Sequence, residues 1–177
     1  LDGSAPRNLT NGFGTTNEIR FRLLRVEPVD PAQPPSAAAR QIFDLAKPQT
    51  LSAYGEWTKK SGYYQLADGK LKELVYEDAS YGYPVKALKA DVFLLTRQTF
   101  VEFPDLRVSG PGFKNSRKVS DANPQQKDFL WGHRLLFDYT NKDGKHLQGI
   151  VAIPDDYKKG ERRPMIVIFY EKNSQNM

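Results

Sequence analysis

Two histidines, His133 and His146, and nine serines are the residues from which a metal site or a nucleophile–base pair would have to be assembled in this chain. Neither histidine belongs to an H-E-x-x-H pattern on a helix, and both fall on segments that read as strands, so a zinc site is not expected. His146 follows a turn and reads as a solvent-facing strand residue. None of the serines lies in G-x-S-x-G, so no nucleophile elbow is encoded within these residues. The glycine pairs Gly12/Gly14 and Gly110/Gly112 do not fit a phosphate loop, because Pro111 interrupts one of them and no helix pattern follows; they read as turns. The Asp-Gly dipeptides lack the D-x-D-x-D-G spacing of a calcium loop.

The chain that must position any such chemistry has 177 residues and a mass of 20.1 kDa. Hydrophobic residues make up 39%, which together with 13 glycines is the apolar share of a globular protein and excludes wholesale disorder. Ten Phe, nine Tyr and two Trp favour packed β-structure over a helical bundle. The longest apolar runs, 92–95 and 165–170, fall far short of the ~20 residues of a membrane helix, so no membrane span is expected. The net charge of +5 is scattered as doublets such as Lys59/Lys60 and Arg162/Arg163 with acids between them, and no nucleic-acid motif is present. A solvated surface, not a nucleic-acid partner, is the expectation. Without cysteine there can be no disulfide scaffold, zinc-thiolate site, iron–sulfur cluster or cysteine nucleophile.

Three stretches share a pattern of turn followed by alternating exit: residues 1–10 (LDGSAPRNLT), 64–75 (YQLADGKLKELV) and, more loosely, 106–120 (LRVSGPGFKNSRKVS). Asp-Gly between alternating segments is a hairpin signal, because both central residues of the turn take positive φ. The exits lie about 65 and 45 residues apart, the second close to the ~40–45 residues of a four-stranded propeller blade. The longer first interval places an insert in the Pro/Ala-rich stretch 28–39, and strands are expected at 19–26, 54–57, 62–66 and 91–96. Residues 36–46 fit either a short helix, with Ala39, Ile42, Phe43 and Ala46 on one face, or a coil leading into an edge strand.

After residues 123–126 (NPQQ) the pattern changes. Segments 135–140 and 146–153 flank NKDGK at 141–145 and read as one long hairpin. A polar loop with Pro154, Gly160 and Pro164 follows, then MIVIFY at 165–170, which reads as a strand buried on both faces. Two antiparallel strands feeding an apolar strand are the entry to an α/β sheet. A boundary is placed near 124–131, dividing the chain into 1–126 and 127–177. A doubly buried strand needs neighbours that the few remaining residues cannot supply, so a fragment cut at both ends is expected, and no signal peptide can be read.

Residues 51–63 (LSAYGEWTKKSGY), 100–106 (FVEFPDL), 121–126 (DANPQQ) and Trp131-Gly132 resemble serine peptidases of the prolyl oligopeptidase family, in its bacterial dipeptidyl-aminopeptidase and acylaminoacyl-peptidase-like branch. Residues 138–149 (DYTNKDGKHLQG) and 164–172 (PMIVIFYEK) are similar to the crossover from propeller to hydrolase domain in those enzymes. The resemblance implies a mainly β chain: the last blades of a β-propeller (1–126) followed by the first strands of an α/β-hydrolase domain (127–177). It also implies a Ser-Asp-His triad acting through an acyl-enzyme on short peptides, no cofactor, and a periplasmic or secreted location. The triad would lie beyond Met177, so these residues alone are expected to be inactive.

In that family a tyrosine just after the first buried hydrolase strand contributes its hydroxyl to the oxyanion hole. Tyr170 matches it by position in the motif, although this chain continues Glu171-Lys172-Asn173 where relatives carry Tyr-Gly-Gly or Tyr-Ala-Gly. A tyrosine at the carboxyl end of a buried strand points its phenol into the crevice where α/β sheets bind ligands. Glu56 and Glu102 have no local motif matching the acidic residues that hold a peptide amino terminus in dipeptidyl peptidases. Trp57 and Tyr54 are expected to pack between blades, and Trp131 to seat the linker. A non-catalytic β-rich module that binds peptide or glycan, and a family member that kept the scaffold and lost the triad, are the alternatives.

Overall fold

The computed structural model describes residues 5–28 and 43–169. Their elements are α1 (Phe13–Thr16), β1 (Ile19–Leu23), β2 (Gln49–Gly55), β3 (Ser61–Ala67), β4 (Lys70–Glu77), β5 (Ser80–Tyr81), β6 (Val85–Lys86), β7 (Phe93–Gln98), β8 (Asp105–Ser109), β9 (Arg117–Lys118), a 3-10 helix (Pro124–Asp128), β10 (Gly132–Thr140) and β11 (His146–Pro154). The fold is mainly β, and every strand pair is antiparallel.

Asp68 and Gly69 make the turn that their residue types dictate, with φ of 50° and 70°, and they join β3 to β4. From this hairpin the first sheet extends in the order β1-β2-β3-β4. A bulge breaks the β3–β4 register between Tyr63 and Tyr64, which pair with Val75 and Glu73. The extra residue, Leu74, is thereby turned so that it and its neighbour Val75 enter the same core cluster, which strict alternation would forbid. Gly62 is required at the bulge, because a β-carbon there would lie 1.9 Å from Val75 O.

The strand expected at 54–57 runs instead from 49 to 55. Its buried rhythm is Leu51, Ala53, Gly55, while Glu56 and Trp57 belong to the turn into β3. That turn is closed by Lys59 N donating to Gly55 O and Gly55 N donating to Lys60 O, both at 2.9 Å, with Lys59 at φ 60°. β1 stops at Leu23, short of the expected residue 26, although Leu24 N still donates to Thr50 O at 2.9 Å. The Asp2-Gly3 turn, most of the insert and the 36–42 part of the helix-or-coil segment lie outside the described residues; Phe43 to Ala46 is coil and turn.

The second sheet has the order β5-β7-β8-β9, with β6 also on β7. β5 meets β7 at Arg97 and Gln98, and β6 meets it at Phe93 and Leu94. β5 and β6 are therefore one row interrupted at 82–84, where buried Pro84 has no N–H for the ladder. The result is a second four-row antiparallel meander.

The two sheets share a core. Tyr63, Leu74 and Val75 of the first pack with Phe93 and Leu95 of the second, around Phe113 from the β8–β9 loop. The opposite face of the first sheet buries Leu51, Ala53, Tyr64 and Leu66 under the N-terminal segment, where Phe13 lies 6.3 Å from both Phe21 and Tyr64. Burial pushes the Tyr63 hydroxyl pKa well up, and that hydroxyl donates to Gly82 O.

Asp105 ends up 2% exposed at the start of β8. Its carboxylate accepts from Lys118 Nζ at 2.6 Å, Ser120 Oγ at 2.6 Å and Ala122 N at 2.8 Å. The Lys118 hydrogen bond foremost, then Ser120, holds its pKa down to about 2. A carboxyl lowered on folding stabilises above its unfolded pKa of about 4, and that contribution disappears as the pH falls through the folded value. The thermal midpoint should therefore fall between pH about 4 and 2 less steeply in Asp105→Asn than in the unaltered chain. Parallel slopes in the two melts would show that this carboxylate is not linked to folding.

β10 and β11 form the long hairpin expected around 141–145. Asn141 Oδ1 accepts from Asp143 N and Lys145 N at 3.0 and 2.9 Å, and Gly144 has φ 76°. The segment after it departs from expectation. Residues 165–169 are in no strand, and Ile166 and Phe169 are each 90% exposed. An apolar run becomes a buried strand only when another strand takes up its N–H and C=O groups, and none of the described strands does so.

Candidate functional site

Tyr170 lies outside the described residues. The approach to it is defined: β11 ends at Pro154, and the polar loop after it is pinned by Arg163. That guanidinium donates to Asp156 Oδ1 and Glu161 Oε2, each at 2.8 Å, and sits 5.8 Å from the centre of the Tyr157 ring. The Asp156 hydrogen bond, then that of Glu161, raises the Arg163 pKa. Residues 165–169 leave this clamp as an exposed apolar segment.

The hairpin is seated on the first sheet through one face. Gln148 Nε2 donates to Trp57 O and to Asp138 Oδ1, both at 3.0 Å, and the His146 ring meets the Trp57 ring edge-on at 4.9 Å. His146 Nε2 is 3.8 Å from Asp138 Oδ1, and His133 Nδ1 is 3.9 Å from Asp155 Oδ1. Lys59, whose pKa burial lowers, places its ammonium 5.9 Å from the Trp57 ring centre. Trp57 thus packs against the hairpin, not between the two meanders. Trp131 seats the segment before β10, with Nε1 donating to Phe100 O at 2.7 Å. Among the described residues no three His, Asp or Glu side chains converge to hold a metal ion.

Gln148 is the polar clasp of this joint. Gln148→Ala is expected to remove about 1 kcal/mol from local closure, the net value of a typical hydrogen bond. Amides of β10 and β11 should then exchange with solvent roughly fivefold faster, while those of β3 hold their rate. Unchanged exchange in the hairpin would mean that its seat is carried by the ring contact alone.

The two acids weighed from sequence are occupied. Glu102 lies between Arg97 and Arg107, paired with both. Arg97 also donates to Glu77 Oε1 at 2.7 Å, and Tyr81 donates to the same oxygen at 2.5 Å. Burial first, then the Glu77 hydrogen bond, raises the Tyr81 hydroxyl pKa to about 12. Glu56 faces Arg20 at 3.5 Å. Sequence reading missed this network and also passed over Arg20 and Arg22 of β1. The available signal was the alternation I-R-F-R-L, which sends both arginines to one face.

No model of a protein family matches the chain, and no curated protein matches its sequence. No helix among the described residues is long and apolar enough to cross a membrane.

Proposed function

We propose that this chain is the closing part of a β-propeller joined to the opening strands of an α/β-hydrolase domain, in an exported serine peptidase of the prolyl oligopeptidase family that cleaves short peptides. The observation that carries the reading is the order of elements. Two successive four-row antiparallel meanders are followed by a 3-10 segment, a long hairpin and an apolar segment that leads to Tyr170. Residues 138–149 and 164–169, which belong to the stretches resembling the crossover of those enzymes, fall on that hairpin and that segment.

In this reading a serine outside these residues attacks the peptide carbonyl. A histidine takes the serine proton and returns it to the leaving amine, and water then hydrolyses the acyl-enzyme. The Tyr170 hydroxyl donates to the oxyanion that forms at each tetrahedral stage. The meanders restrict access, so only short peptides reach the serine.

The test is to express the complete open reading frame that contains these residues and treat it with a fluorophosphonate. Labelling at a serine in G-x-S-x-G, together with cleavage of short peptides, is the expected result. A reading frame that closes after Met177, or a complete product that takes no label, overturns the proposal.

A further inference from the structure

An open cleft of about 360 Å³ lies between one face of the first sheet and residues 80–83. Alternation along β1 places Arg20 and Arg22 on its wall, and register sets Tyr54 beside Arg20 and Ser52 beside Arg22. Ser80 and Tyr83 stand on the other side. The two arginines differ in one respect. Arg20 is held, with Nε 3.5 Å from Glu56 and Cζ 5.3 Å from the Tyr54 ring centre. Arg22 is exposed, and no described residue offers it an acid within ion-pair distance. A guanidinium stays charged at every accessible pH and presents a planar fork of donors that matches a carboxylate.

Arg20, Arg22 and Leu24 carry the cleft out over the face of β1, which is an edge strand of its sheet and pairs only with β2 among the described strands. An edge strand carries unpaired N–H and C=O groups that an extended peptide can satisfy, while alternate side chains of that peptide fall on one face of the sheet. We propose that this edge and cleft together bind an extended acidic peptide: its backbone pairs with the outer edge of β1, and one carboxylate reaches over the sheet face into the cleft, where Arg22 grips it with a hydroxyl donor from Ser52. The edge strand is what favours a peptide over a free phosphate or a sugar, neither of which has a backbone to pair with it. The proposal stands whether or not the chain belongs to a peptidase.

Fluorescence anisotropy of the full chain with a labelled Thr-Glu-Thr-Glu-Thr peptide, and with the same peptide carrying Gln for Glu, tests it. The Glu peptide should bind about tenfold more tightly than the Gln peptide, the worth of a charge-assisted hydrogen-bonded pair. Arg22→Gln should abolish that preference, and Arg22→Lys should restore only part of it, because an ammonium lacks the fork. Arg22 is exposed, so circular dichroism melts of the variants should match that of the parent chain. Equal binding of the two peptides, binding of neither, or an intact preference in Arg22→Gln overturns the proposal. Competition by inorganic phosphate without a Glu preference would do the same, by showing a plain anion site.

Discussion

Phe113→Ala is expected to cost about 3–5 kcal/mol of unfolding free energy, the range for removing a fully buried aromatic ring. The ring is 2% exposed and lies 4.6 Å from Tyr63 of the first sheet and 4.9 Å from Phe93 of the second. It is the wedge on which both meanders close. Backbone geometry gives nothing back: Phe113 has φ 57°, a left-handed conformation that alanine also finds unfavourable, so the strain stays when the packing is lost. The protein holds a large side chain at a strained position, which is maintained only because packing outweighs the strain. Urea unfolding should show a lower midpoint with an unchanged slope, while Phe113→Leu, which keeps much of the volume, should lose about half as much. A loss below about 1 kcal/mol for the alanine variant would mean that the two sheets hold together without this ring.

On the proposed peptidase reading, Tyr170→Phe made in the complete gene product is the second large effect. Removing a single oxyanion donor lowers turnover by about 10²–10³, equivalent to roughly 3–4 kcal/mol in the transition state. A donor in the role proposed for Tyr170 meets charge that exists only in the transition state, so kcat should fall with KM little changed. Phenylalanine keeps the ring and therefore the packing, which separates loss of the hydroxyl from loss of fold. Glu171-Lys172-Asn173 follows Tyr170 where the peptidases it resembles carry glycine-rich pairs, which makes the result informative. A kcat within about threefold of the parent enzyme would remove Tyr170 from the oxyanion hole and leave that role to backbone N–H groups.

The turns and strand faces could be read directly from residues. Asp68-Gly69 and Asn141 to Lys145 form the turns their side chains and positive φ values demand, and the strands on either side follow by alternation. β2 lies earlier than the expected 54–57, because the residues it buries are Leu51 and Ala53 and not the larger aromatics Tyr54 and Trp57. The apolar run 165–169 reads as a strand from composition alone, yet strand formation depends on a partner, and among the described residues it has none.

The cleft and the charge network had no comparable signal. Arg22 and Tyr83 are 61 positions apart in the chain and line one cleft only because the second meander folds back on the first. Glu77, Arg97 and Arg107 converge through strands β4, β7 and β8, and nothing in their spacing marks them as partners. Phe113 follows a Gly-Pro-Gly turn and looks like a loop aromatic until Tyr63 and Phe93 arrive on either side of it. The amino-acid sequence by itself determined the antiparallel β class, the hairpin turns and the absence of a nucleophile elbow, because each depends on the φ preferences or identities of neighbouring residues. Only the tertiary structure decided which aromatic joins the sheets, which acids are already paired and which arginine is left facing an open cleft. Those outcomes depend on contacts between residues far apart in the chain, where packing volume and charge neutralisation, not local preference, select the partner.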